Sequence, residues 1–564
     1  MTSQPRRCRT GTLRNQGETM NTSYWNRRDF IRTLLASIPF AAFDWSAFPK
    51  KTAADDKGDQ WDAVIIGSGL GGLSCAAAFA RQGYRPLVLE KHDRPGGYAT
   101  TFKRPGGFVF DVSLHSTSVS SRNGVYNMVP GFPEITEVEF VPHPNLYRAV
   151  FPDYDITVPN RDLPGYLTML KGHFPEEAQG IDALFKDMKG IAQDVGELST
   201  VTGEMNFSRF PVDFPFLFKA YSRTWGQIVD EHLKEPRLKA MVNVLWGYFG
   251  LPPSKLASIY YALPTIGYLE NGGFYPRGKS QAISNAFVKF IEQRGGKVLL
   301  ATKVDRILVK DRAAFGVATA DGKEFTGKAI VSNADAYTTF HTLVERTDDL
   351  AEYLARMDSF TVSLSSFQVF LGLKRNLVRE LGIKDTEIFC APDYDPEQEF
   401  RAGVEGNMER PGYGLTLYDN LYAGYSPQGK NTLSIITLQG YDYWKKYEAE
   451  YLRGEKTAYI AEKERIANIL IDQAERRFLP GLRKAIEVKE IGTPLTNLRF
   501  TGNYRGGIYG WDQTLDNAMP NRLPQTTPIK GLYLAGAWTQ PGGGYGGVIW
   551  SGVQCFGEVM KAWG

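Results

Sequence analysis

Cysteine is scarce in this sequence, with four residues (Cys8, Cys75, Cys390 and Cys555) widely spaced and no C-x-x-C pair. That pattern excludes a disulfide framework and the common zinc sites as the organising principle. Excess charge is lacking too. The formal net charge is +3, and several arginines (Arg6, Arg7, Arg9, Arg14, Arg27, Arg28 and Arg32) sit near the start, so the body carries no nucleic-acid footprint. No apolar run reaches the roughly 20 residues needed to span a bilayer, and neither repeats nor low-complexity segments occur. No catalytic triad and no cluster of metal ligands stands out. What remains is ordinary globular material, 43% hydrophobic and 23% charged, somewhat generous in glycine (58) and tyrosine (29). At 564 residues it exceeds one usual domain, which leaves room for both a cofactor and a substrate enclosure.

The N-terminal segment has a basic stretch, an apolar stretch from about Leu34 to Phe43, and small residues at Thr52, Ala53 and Ala54 where a signal peptidase can cut. Within it, Arg27-Arg28-Asp29-Phe30-Ile31-Arg32 resembles a twin-arginine export signal, with Asn26 and Arg32 departing from the consensus. Met20 is an alternative start, since such a signal does not need the residues before it. The expectation is a periplasmic or otherwise extracytoplasmic protein, possible membrane association included.

Residues 61 to 90 read as strand, glycine turn, helix and strand: "WDAVIIG", "LGGLSCAAAFARQGY" and "RPLVLE". This βαβ unit implies a parallel sheet covered on both faces, hence an α/β fold of Rossmann type. Gly67-x-Gly69-x-x-Gly72 has the dinucleotide spacing: Gly67 for the tight turn, Gly69 for backbone approach to a pyrophosphate, and Gly72 for close helix-to-strand packing. Glu90, ending the second strand, is placed to accept hydrogen bonds from ribose hydroxyls. No second such motif follows a strand, so no built-in nicotinamide domain is expected. Cys75, on the helix, reads as a small buried hydrophobe.

Composition then alternates. Residues 126 to 270 read as helical and rich in aromatics, 271 to 345 as helix, strand and hairpin, 346 to 490 as mixed, and the end as strand, glycine loop and helix. The expected organisation is a signal and linker (1–57), an FAD-binding domain in three discontinuous segments (58–125, 271–345, 491–564), and a mixed α+β substrate domain in two (126–270, 346–490).

FAD is named there because of a resemblance. "EKHDRPGGYATTF", "GFVFDVSLHS", "YPRGKSQAISNAF" with "KVDRILV", "TPLTNLRFTGNYRGGIYGW" and "LYLAGAWTQPGGGYGGVIWSG" resemble, in order and spacing, blocks of the FAD-dependent phytoene desaturase, carotenoid isomerase and retinol saturase superfamily. The likeness covers nearly everything after residue 60 and is weakest in the two inserts. It implies non-covalent FAD, with contacts at Gly67, Gly69, Leu70, Gly71, Gly72, Glu90, Lys91, Arg94, Gly96, Gly97, Thr100, Val304, Gly536, Gly546, Gly547 and Val548. Arg94 is equally readable as a phosphate or ribose contact and as a solvated arginine. His115 invites an acid or base role, but a structural one is favoured, and catalytic residues stay unassigned. No metal is expected.

The implied activity is oxidoreduction at carbon–carbon double bonds of a hydrophobic polyene, isoprenoid or unsaturated lipid, by a saturase, desaturase or isomerase. A flavin amine-oxidase-type enzyme and a lipid-binding carrier on the same scaffold are the alternatives. The aromatic segment from about Phe207 to Tyr261 can line an apolar tunnel, touch a membrane surface, or form the insert's own core. Export would deny the protein a nicotinamide pool, so quinone, oxygen or a redox partner is expected to exchange electrons with it.

Overall fold

The computed structural model describes residues 45–51, 61–117, 131–201, 207–518 and 521–564. The signal-like segment 26–43, Met20 and the cleavage residues 52–54 lie outside them.

The strand Trp61–Ile66 is apolar after Asp62 and almost wholly buried, as a central parallel strand must be. Asp62 is tolerated at its edge because Lys51 Nζ (2.9 Å) and the Arg85 backbone N–H (2.8 Å) both donate to it. The helix Leu70–Arg81 follows and ends where Gly83 turns at φ +82°. Its alanines allow a close approach by the last helix, Tyr545–Trp563. A Cβ at Gly552 would collide with Gly71 O and Ser74 Oγ, so glycine is required at that crossing. Cys75 is fully buried there, and its side chain contacts Cys555.

Trp61–Ile66 pairs in parallel with Pro86–Leu89 on one side and Glu324–Ser332 on the other; Lys297–Leu299 extends the first side. Glu324–Ser332 changes partner along its length. Its first half is antiparallel to Ala313–Thr319, its second half parallel to Leu532–Leu534, and Val304–Lys310 closes that edge. One seven-stranded sheet therefore draws on three distant parts of the chain.

A second seven-stranded sheet runs in the order Ile486–Gly492, Ser365–Leu373, Asn431–Gln439, Tyr413–Thr416, Glu387–Cys390, Asn145–Val150, Asp155–Pro159. All its neighbours are antiparallel except Glu387–Cys390 with Asn145–Val150. This corrects the reading of 126–270 as helical, since its first part supplies a hairpin. The pattern was present: "DITVP" alternates exposed and buried positions. The long aromatic helices that follow masked it. The described residues from Leu163 to Asn271 are mainly helical and build their own core around Trp225, Tyr261 and Phe185. No helix of the described residues is long and apolar enough to cross a membrane.

Candidate active site

The parallel strands end together, and their ladders continue one residue further. Gly67 N–H donates to Leu89 O (2.8 Å), Glu90 N–H to Leu299 O (2.9 Å), Asn333 N–H to Ile66 O (2.9 Å), and Ala535 N–H to Ser332 O (2.9 Å). Gly67, Glu90, Asn333 and Gly536 therefore stand side by side where the strand order reverses, the place at which open α/β sheets take ligands.

This edge is built so that side chains stay out. Gly67 and Gly536 adopt φ +91° and +99°. A Cβ at Gly71 would lie 2.6 Å from Gly536 Cα and 2.6 Å from Asn333 Oδ1, and one at Gly69 would lie 2.8 Å from Asn333 Nδ2. Gly72 differs from the rest. It lies behind the turn, where a Cβ would strike Gly67 O, so it serves packing and not the cavity wall. Two helices begin here, at Gly69 and Gly544, with no side chain capping either and no acid in either first turn. Their N–H groups and dipoles are left for an anion.

The remaining predicted residues, Leu70, Glu90, Lys91, Arg94, Gly96, Gly97, Thr100, Val304, Gly546, Gly547 and Val548, all line one cavity with Gly67, Gly69, Gly71 and Gly536. Glu90 is held by the Ser68 N–H (2.8 Å) and Ser68 Oγ (2.7 Å) on Oε2 and by the His92 N–H (2.8 Å) on Oε1, which leaves acceptor capacity on Oε1. Arg94 is already engaged by Thr101 O (2.6 Å) and Asp93 (3.0 Å), and Thr100 Oγ1 donates to Gln281 (2.7 Å). Burial pushes the Lys91 ammonium below its usual range, against the pull of Glu90 and Asp335. Burial also raises Asp335, which accepts from the Thr338 N–H, to about 6. Ser116 Oγ and Trp538 Nε1, on the wall, find no hydrogen-bond partner among the described residues. Close-approach glycines, two uncapped helix N-termini and an acid at the strand end form a cradle that fits an elongated dinucleotide.

Two residues of this end escaped sequence reading. Asn333 sits centrally among Gly67, Gly69, Gly71 and Gly536. Arg522 is fully buried, and its guanidinium donates to six carbonyls, those of Tyr509, Trp511, Asp512, Asn517, Ala537 and Thr539. It thereby fixes the loop between Leu534 and Tyr545 from behind. A strand-ending asparagine was a usable signal; nothing near Arg522 marked it.

Beyond the Gly543–Val548 loop the same cavity continues between the second sheet and the helices, lined by Tyr248, Phe249, Leu263, Tyr268, Phe389 and Leu438. Its total volume is about 1770 Å³. His115 lies on this wall, its ring 5.9 Å from that of Tyr248, and burial pushes its imidazole down to about 4. Behind both is Glu387, 2% exposed, with Tyr248 Oη at 2.7 Å, Tyr418 Oη at 2.5 Å and His115 Nδ1 at 3.7 Å. Burial raises Glu387 to about 7. Further along, burial and then the neighbouring Asp393 raise Glu399 to about 8; the surface Glu399 keeps faces the cavity. Elsewhere, Asp187, Glu231 and His232 converge, but Lys219 already bridges the two carboxylates (2.7 and 2.6 Å).

Comparison with known proteins agrees with this geometry. A prolycopene isomerase from an Oncidium hybrid cultivar is 28% identical over 89% of this chain and 84% of its own length. The all-trans-retinol 13,14-reductase of Danio rerio is 27% identical over 85% and 82%. Among solved structures, putrescine oxidase bound to putrescine aligns with TM-score 0.57 at 12% identity over 89% of this chain and 99% of its own. An oxidoreductase from Methanosarcina mazei gives 0.55 at 16% over 89% and 100%. The family profile described as flavin containing amine oxidoreductase matches residues 70–559, from the first helix of the cradle into the last. The chain belongs to that family, and it is an FAD-dependent oxidoreductase.

Proposed function

We propose that the protein reduces, desaturates or isomerises a carbon–carbon double bond of a hydrophobic, polyene-like or isoprenoid substrate. The observation that carries this reading is the single cavity of about 1770 Å³, a glycine cradle at one end and an aromatic enclosure at the other. Small-ligand pockets run to roughly 1,000 Å³, so this one has room for a cofactor and a long substrate together. Gly67, Gly69, Gly71, Gly96, Gly97 and Gly536 would admit non-covalent FAD, Glu90 its ribose, and Gly546, Gly547 and Val548 its ring. FAD supplies or accepts hydride when bound, and the chain positions the substrate bond and excludes water. The names of the isomerase and reductase relatives support a polyene.

Anaerobic reduction of the bound flavin followed by reoxidation with polyenes or quinones, and separate aerobic incubation of the oxidised protein with amines, test the assignment. Peroxide release with amines and no reaction with polyenes refutes it, and a colourless protein would favour a lipid carrier.

The same reading includes the three-part FAD domain and two-part substrate domain given above, export through the segment 26–43, and quinone, oxygen or a redox partner in place of NADPH. A twin-arginine route carries folded proteins, which reconciles prior FAD insertion with export. Replacing Arg27 and Arg28 by lysine should leave the protein in the cytoplasmic fraction, and brisk steady-state turnover with NADPH would count against the electron-partner proposal. Membrane contact is supported by Val212, Phe218 and Tyr221, exposed together on the short helices Phe210–Asp213 and Pro215–Ala220 and just after.

A further inference from the structure

We propose that Tyr248, backed by a protonated Glu387, exchanges the proton that must accompany hydride transfer at the substrate's double bond. This rests on the substrate reading above and assigns its acid–base group. Adding hydrogen across a C=C bond requires one hydride and one proton, and removing hydrogen requires the reverse. Hydride belongs to the cofactor chemistry, so the proton must come from or return to the wall around the substrate.

The geometry itself places a proton on Glu387. Tyr418 Oη lies 2.5 Å from Glu387 Oε1 and 2.9 Å from the carbonyl oxygen of His115. Tyr418 has one hydrogen and faces the carboxyl on one side and backbone carbonyls on the other, His115 O and, more distantly at 3.4 Å, Leu114 O. Both contacts are hydrogen bonds only if the carboxyl donates to Tyr418 and Tyr418 donates to His115 O. Tyr248 Oη then donates to the other carboxyl oxygen, 2.7 Å away, and every contact in the cluster is satisfied.

Among the described residues no cation stands near enough to favour the carboxylate. The titratable groups around Glu387 are Tyr248 on Val244–Tyr248, Tyr268 on Ser258–Asn271, Tyr418 on Tyr418–Asn420, and His115 after Phe108–Asp111. His143 bonds the adjacent Thr386, and burial holds it, like His115, neutral near pH 7. Arg148, on the neighbouring strand, is engaged by Asp155 and Asp385. Burial also keeps the tyrosines protonated.

Of the two hydroxyls bonded to Glu387, Tyr248 and not Tyr418 belongs to a residue on the cavity wall, half-buried with its remaining surface turned inward. Delivery requires the Glu387 proton to move to the oxygen facing Tyr248. The Tyr248 O–H is then free to point at the substrate. Tyr248 gives its proton to carbon, Glu387 replaces it, and the resulting carboxylate accepts from Tyr248. Tyr418 can now turn its hydrogen from His115 O to Glu387, so the carboxylate has two donors. In the opposite direction the same three oxygens take a proton up.

The test uses FAD-loaded protein, all-trans-retinol in detergent micelles, and the variants Tyr248→Phe and Glu387→Gln, which preserve shape. Wild-type protein should show an infrared carbonyl band of a neutral carboxylic acid that titrates near pH 7. Glu387→Gln should lack that band, and Tyr248→Phe should shift its titration. Reoxidation of chemically reduced enzyme by retinol in D2O should place deuterium in the product. It should slow about 100-fold in Tyr248→Phe, the usual order for losing a general acid, at unchanged flavin content. In Glu387→Gln the pH dependence of the rate near neutrality should vanish. An active wild type whose variants keep its rate and pH profile, or whose carboxyl is ionised at pH 6, overturns the proton relay alone. A flavin-loaded wild type inert towards retinol and other polyenes overturns the substrate reading and this role with it.

Discussion

At one end of the cavity the wall is backbone; at the other it is side chains. The cradle consists of glycines whose missing Cβ atoms leave space, two helix N-termini, and one acid at a strand end. The enclosure consists of Tyr248, Leu263, Tyr268 and Phe389, with the buried carboxyl of Glu387 behind. Backbone walls suit a phosphate-bearing cofactor, because phosphates are recognised by N–H groups whatever side chains the residues carry. Side-chain walls can change one residue at a time, and substrate preference can therefore drift over a constant cofactor site.

Arg522→Met should separate the two ends most sharply. It strands six buried carbonyls and should cost about 3–5 kcal/mol, the range for breaking a buried charged network, with flavin lost through slackening of the 536–541 loop. Thermal unfolding with a flavin-to-protein absorbance ratio measures both. Gly71→Val should abolish flavin retention at a stability cost of about 1–3 kcal/mol, since its side chain meets Gly536 backbone and cannot be absorbed. Full flavin in that variant would refute the backbone-wall account.

Leu263→Trp should leave flavin content untouched and raise KM for a polyene roughly tenfold, about 1.4 kcal/mol of lost binding. A flavin defect there would show the two ends to be less separable than drawn. Stability should also fall as pH rises from the usual carboxylate range towards 8. Glu387 and Glu399 keep their protons in the folded chain, at about 7 and 8, while the unfolded chain has already released its own, so raising pH favours unfolding. Above pH 8 this contribution is constant. Glu399→Gln should flatten the upper part of the Tm-versus-pH curve. Smallest of all, Phe218→Ser with Tyr221→Ser should change stability by less than about 0.5 kcal/mol per site while lowering sedimentation with anionic lipid vesicles.

The same contrast decides what could be read from the sequence. Gly67, Gly69, Gly72 and Glu90 were legible because one βαβ unit fixes their spacing over a short stretch of chain; the dinucleotide-binding α/β fold followed from it, and the choice of FAD from the resemblance of the later blocks. Tyr248, Glu387, Tyr418 and His115 were not, because the pairings Tyr248–Glu387 and Tyr418–His115 cross the second sheet and the helical insert. His115 was noticed without its neighbours, which is why a purely structural role looked stronger. The hairpin at Asn145–Pro159 was legible in its alternation and was masked by the long aromatic helices after it, while its pairing with Glu387–Cys390, from the far insert, left no local mark. Arg522 had no local pattern, since a carbonyl cage leaves no mark on the residues that form it.

The crossing of Leu70–Arg81 with Tyr545–Trp563 has a consequence for how the molecule is made. Its earliest loop and its last helix are two halves of one lock. At about 5–20 residues per second, on the order of tens of seconds of synthesis separate them. A nascent chain therefore carries an open cradle until Tyr545–Trp563 has been made, and the cradle closes only once that helix packs. Any product truncated before Gly552 lacks half the lock, so bound flavin reports that synthesis passed that helix.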